Sequence, residues 1–89
     1  MKVVDHEPSA WFLLQDDDDY YLDVNCGRSA VGFSVTIQLT EVERKLYASG
    51  GRAYIDNLAS QVSDKSDPSD SRNIRDPAVQ KRIYDAVVG

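Results

Sequence analysis

The sequence predicts an α+β domain: an antiparallel three- or four-stranded meander with helices packed on one face. Three observations carry that prediction. Val31, Phe33, Val35, Ile37 and Leu39 share one parity while Gly32, Ser34, Thr36 and Gln38 share the other, the period of a half-buried strand. A helix-start signature, Thr40-Glu41-Val42-Glu43, follows at once. Val42, Leu46, Tyr47, Gly50, Tyr54, Leu58 and Val62 then recur every three or four residues, as on the apolar stripe of a helix folded back on the sheet. Upstream, two short apolar segments flank four consecutive aspartates, which are poor strand formers and good turn formers.

Taken in order, Met1–Asp5 reads as a short edge strand, against which Pro8 and the polar residues around it count. Trp11-Phe12-Leu13-Leu14 is apolar on both parities, which suits a strand covered on two faces or one whose second face meets a partner. Gln15 through Asp19 form the hairpin connection. Tyr20, Leu22, Val24 and Cys26 then alternate with Tyr21, Asp23 and Asn25, giving a strand with one core side. Cys26-Gly27-Arg28-Ser29-Ala30 turns the chain into the main strand. Helical periodicity covers Glu41–Ser49 and Gly51–Val62, continuous or bent at Gly50-Gly51, since each mid-helix glycine costs about 1 kcal/mol relative to alanine. Residues 63–75 read as a mobile surface loop, because Ser63–Asn73 contains no apolar residue. Asp76 and Pro77 supply a cap acceptor and a first-turn proline, and Val79, Ile83, Ala86 and Val87 share a face of a last helix, Pro77–Val88, beside the first.

A chain of 89 residues holds one domain, 1–89, of a size at which the core is only just sufficient. No apolar run approaches the roughly 20 residues of a membrane span. The start, Met1–His6, lacks the roughly 7–15 residue apolar stretch of a secretion signal. A single cysteine allows no internal disulfide, so the expected compartment is the cytoplasm. The net charge of -5 is uneven: residues up to Asn25 hold seven acids against Lys2 alone, whereas the remainder holds nine basic and eight acidic residues. Negative potential gathered at one end disfavours nucleic acid and favours a basic protein partner or a cation.

The aspartate run lacks the central glycine and terminal glutamate of a calcium-binding loop, so a solvated turn or acidic contact patch is the plainer account. The Asp64, Asp67, Asp70 series has the same explanation. Cys26 and His6 are the only residues of their types. Cys26 ends an apolar parity and reads as a small buried side chain rather than half of a nucleophilic pair. No phosphate loop, zinc ligand set or other cofactor motif is present in the sequence. Tyr21 points outward by parity beside the aspartates, and tyrosine is enriched at protein interfaces.

The order strand, hairpin, strand, capped helix, loop and final helix resembles the small acidic immunity proteins of bacterial polymorphic-toxin systems. Trp11-Phe12-Leu13-Leu14, Tyr21-Leu22-Asp23-Val24, and Leu39-Thr40-Glu41 through Tyr47, Gly50 and Leu58-Ala59 carry the likeness, over about two thirds of the chain. The resemblance implies a non-enzymatic cytoplasmic inhibitor that covers a toxin's active site, and it assigns no binding residue.

The expected function is therefore a non-enzymatic protein-binding module. Asp16, Asp17, Asp18, Asp19, Tyr21 and Asp23 are its candidate partner-binding residues, continued across an open sheet face by Asn25, Ser34, Thr36 and Gln38. A homodimer through the surplus apolar surface of Trp11–Leu14 is a variant of this expectation. The alternative is a small enzyme or metabolite-binding protein that uses Asp or Tyr side chains in a groove between sheet and helices.

Overall fold

Alternating parity becomes a four-stranded antiparallel sheet in the computed structural model, which describes residues 1–7, 10–25, 34–65, 74 and 76–88. The strands are β1 (Lys2–Glu7), β2 (Trp11–Asp16), β3 (Asp19–Asn25) and β4 (Ser34–Gln38), and they lie side by side in chain order. The helices are α1 (Glu41–Gly50), α2 (Arg52–Lys65) and α3 (Pro77–Val88). This is the α+β meander that the sequence predicts. The expectations for Val31–Phe33 and Cys26 lie outside the described residues.

Register places the apolar parity of each strand on a common face. Trp11 pairs with Val24, Leu13 with Leu22, and Leu22 with Ile37. These side chains, with Val35 and Leu39, form the main core under Ile55, Leu58 and Ala59 of α2. The edge strand β1 carries a bulge between Val3 and Asp5, a device that discourages further strand pairing at an edge.

The layering differs from expectation in one respect: the helices divide between the two faces of the sheet. α1 and α2 cover the main core, whereas α3 lies against β1 and β2 on the other side. There Ile83 is buried outside the main core, and Gln80 and Arg82 reach Thr36 and Asp16, which share the second face with Leu14. The double-parity apolar run of β2 explains this. Trp11 and Leu13 belong to the first core, and Leu14, equally enclosed, needs a cover on the second. The apolar surplus that suggested a homodimer is therefore absorbed within the chain.

The glycine pair separates two helices. Gly51 sits at φ 63°, ψ -147°, a backbone region essentially reserved for glycine, and its N–H donates to the Tyr47 carbonyl at 2.7 Å, which ends α1. The change of axis rotates α1 away from its expected stripe. Tyr47, Tyr54 and Val62 pack against the core, but Val42 is 64% and Leu46 45% exposed. At the far end α2 continues through Ser63 and Asp64 to Lys65, three residues whose polar composition predicts loop. Polar composition alone does not end a helix whose preceding turns are anchored by Leu58 and Ala59.

Candidate functional site

The β2–β3 connection is a two-residue turn, Asp17-Asp18, with Asp16 opposite Asp19 at its base. Asp17 has φ 54°, a left-handed conformation that aspartate tolerates better than most L-residues, and its carbonyl accepts from Gln15 Nε2 at 3.0 Å. Asp17 and Asp18 are exposed at the tip.

The flanking acids are already engaged. Arg82 of α3 pairs with Asp16 from one side of the sheet. Arg44 of α1 approaches from the other, with Nη1 3.7 Å from Asp19 Oδ1 and donating to the Asp18 carbonyl at 2.7 Å. The acids of β1 are held in the same way by α2, whose Arg52 binds Asp5 at 3.1 Å and also Glu7. Each helix thus sends an arginine to the acidic sheet. The hydrogen bond to Glu7, above all, holds the Arg52 guanidinium above its ordinary pKa, with Asp5, Glu7 and Asp56 adding to the rise against some desolvation.

This arrangement corrects the expectation of negative potential gathered at one end. The early acids separate into a group at Asp5 and Glu7 and a group at Asp16–Asp19, each partly neutralised by arginine. Net sequence charge misses this, because the compensating cations come from residues 44–82. Asp17 and Asp18 are the hairpin acids left pointing into solvent.

The open sheet face is also corrected. Thr36 is only 1% exposed. Its hydroxyl donates to Asp23 Oδ1 at 3.1 Å and lies 3.3 Å from the donating Gln80 Nε2. Its carbonyl accepts from the Ile74 N–H at 2.8 Å, and Gln80 Nε2 also donates to the Ile74 carbonyl at 2.6 Å. Asp23 therefore sits at the foot of α3 rather than on a free surface. Tyr21 is half-buried near Arg82, while Asn25 and Gln38 remain exposed. The Ser34 side chain lies outside the described residues.

Burial raises the Tyr21 phenol above its ordinary 10.0, Asp19 and Asp16 add to the rise, and Arg82 opposes it. Tyr47 is raised as well, by burial first and then by Asp5 and Tyr20. Both phenols hold their protons more firmly in the folded chain than in the unfolded one. Their contribution is therefore intact below about pH 10 and is lost as pH climbs from there through the raised folded values. A Tyr21→Phe, Tyr47→Phe double variant should lose less stability than the parent as pH rises above about 10, read as urea midpoints. An equal alkaline loss in both proteins would show that these phenols do not govern it.

A second feature is a groove of about 350 Å³ between the strand ends and α2, lined by Glu7, Trp11, Asn25, Asp56, Ser60 and Ser63 among others. Asp56, Ser60 and Ser63 recur at helical spacing on α2, and the Trp11 indole N–H donates to Asp56 Oδ1 at 2.9 Å. The Arg52 guanidinium lies 5.5 Å from the centre of the Trp11 ring. Sequence reasoning singled out none of the α2 residues here, because a polar helical stripe ordinarily faces solvent.

Among the described residues, no group of three or more His, Cys, Asp or Glu side chains could hold a metal ion, and no helix is long and apolar enough to cross a membrane. His6, the other half of the rejected nucleophilic pair, stacks on Phe12 with ring centroids 5.7 Å apart. No family model matches the chain, and no curated protein or solved structure matches it.

Proposed function

We propose that the protein is a non-enzymatic binding module that meets a basic protein partner through the tip of the β2–β3 hairpin, in the manner of an immunity-type inhibitor. One observation supports this above the others: Asp17 and Asp18 project from a tight turn whose base is held from both sides of the sheet by Arg44 and Arg82. Two exposed acids at the tip of a two-residue turn present charge that no arginine among the described residues neutralises, and such charge speeds encounter with a basic surface. The binding set contracts accordingly. Asp17 and Asp18 make the contact, Asp16 and Asp19 flank it with their charge partly neutralised by Arg82 and Arg44, and Tyr21 and Asp23 support the sheet beneath it.

The test begins with a partner captured from the source organism on immobilised protein. Replacing Asp17 and Asp18 with asparagine should slow association by about tenfold at low salt and flatten its salt dependence, with dissociation changed much less. Association kinetics identical to the parent at every ionic strength would remove the hairpin from the mechanism.

The groove beside Trp11 supports a second reading, a small polar metabolite held between sheet and helix by Asn25, Asp56, Ser60 and Ser63. Trp11 is the sole tryptophan, so its fluorescence reports occupancy of the groove directly. A ligand that shifts that emission equally in the parent and in the Asp17, Asp18 variant would favour this reading over hairpin docking.

A further inference from the structure

α1 is built differently from the other helices. None of its ten residues, all of them described, is buried, whereas α2 buries Ile55, Leu58 and Ala59, and α3 buries Ile83. Its integrity is internal. The Thr40 hydroxyl accepts from the Glu43 N–H at 3.2 Å, Glu43 Oε1 accepts from the Thr40 N–H at 2.8 Å, and Lys45 pairs with Glu41 at 3.5 Å. Its C-terminal end is a break in the ladder, because Gly51 leaves helical geometry and α2 resumes independently with the Tyr54 N–H on the Gly51 carbonyl at 3.1 Å. Its other end joins the buried Leu39 through Thr40 alone.

Arg44 and Tyr47 connect this helix back to the sheet. Tyr47 meets Tyr20 edge to face with centroids 5.9 Å apart. Arg44 grips the Asp18 carbonyl and approaches Asp19 with both side chains partly solvated, 32% and 49% exposed respectively, a setting in which an ion pair contributes little stability and is screened by salt. Apolar burial in α1 is confined to Tyr47, which packs against the core beside Tyr20, and Arg44 adds a tie that is electrostatic and screened by salt.

We propose that α1 is a strap, anchored at Leu39 and pivoting at Gly51, that lifts from the sheet as a unit while β1–β4 and α2 stay folded, and that Arg44 on the β2–β3 turn is its latch. Opening parts the Tyr20–Tyr47 pair and uncovers Tyr20 on a face that is otherwise closed by helices. Local openings of this kind occur at free energies below that of global unfolding wherever buried contacts are few.

Native-state hydrogen exchange on the whole chain tests the strap. The Lys45–Gly50 amides should exchange at least about tenfold faster than those of Leu58 and Ala59, and with little dependence on low denaturant. Arg44→Gln should accelerate the α1 group a further few-fold and leave α2 unchanged. Arg52→Gln, which cuts a tie of α2, should not accelerate α1. Added salt at about 0.5 M should reproduce the Arg44→Gln effect in the parent and do nothing more in the variant. A common rate and a common denaturant dependence for α1 and α2 would overturn the strap. Unchanged α1 exchange in Arg44→Gln, or an equal salt response in both proteins, would overturn the latch.

Discussion

Leu13→Ala is expected to lower the stability of this domain by about 2–5 kcal/mol. Leu13 lies at the middle of β2, fully enclosed, opposite Leu22 and facing the same core as Ile55 and Leu58. Truncation removes its transfer free energy and leaves a void that the flanking strands, held by ladders on both sides, close only in part. A domain of this size has a total stability of about 5–15 kcal/mol, so the loss is a large share of the whole. Urea unfolding should show a lower midpoint with an unchanged slope. Leu46→Ala, although it lies on the helical stripe read from the sequence, should cost less than about 1 kcal/mol, because nearly half of that side chain is already in water. Equal losses for the two variants would contradict the rotated position of α1.

Thr36→Val is the second large effect, about 1–3 kcal/mol, although it keeps the shape of the side chain. The hydroxyl of Thr36 links Asp23 of β3 to Gln80 of α3 in a buried setting. Removing it takes the Thr36 donor from the Asp23 carboxylate and the hydroxyl acceptor from the Gln80 amide, where Thr36 is buried and its two partners are partly so. Gln80 keeps its bond to the Ile74 carbonyl, so α3 should loosen rather than detach. The measurement is the urea midpoint together with hydrogen exchange in α3. A stability within about 0.5 kcal/mol of the parent, with α3 protection unchanged, would show that this polar link does not hold the second layer.

These two sites differ in how far the sequence exposes them. Leu13 is legible at once, because it falls on an apolar run and pairs by parity with Leu22. Thr36 is not, because a threonine on the polar parity of a strand ordinarily faces water. What buries it comes from Ile74 and Gln80, distant in the chain, and nothing local to β4 signals their arrival. The candidate site divides in the same way. The aspartate turn is evident from composition, but the neutralisation of Asp16 and Asp19 depends on Arg82 and Arg44, whose sequence neighbourhoods read as ordinary helical surface. The groove beside Trp11 was illegible because Asp56, Ser60 and Ser63 gain meaning only when β1 and β2 pass in front of them.

The chain's own pattern determined the local elements: period-two alternation made β3 and β4, an apolar run made β2, the threonine cap started α1, the glycine pair ended it, and Asp76-Pro77 opened α3. Those features are set by backbone sterics and hydrogen bonding within a few residues, so they are written where they act. Tertiary packing alone decided which face each helix covers, how far α1 turns from its apolar stripe, and which carboxylates keep their charge open to solvent. Each of these depends on pairing residues far apart in the chain, and the free energy of burying or neutralising a group exists only once its partner has arrived.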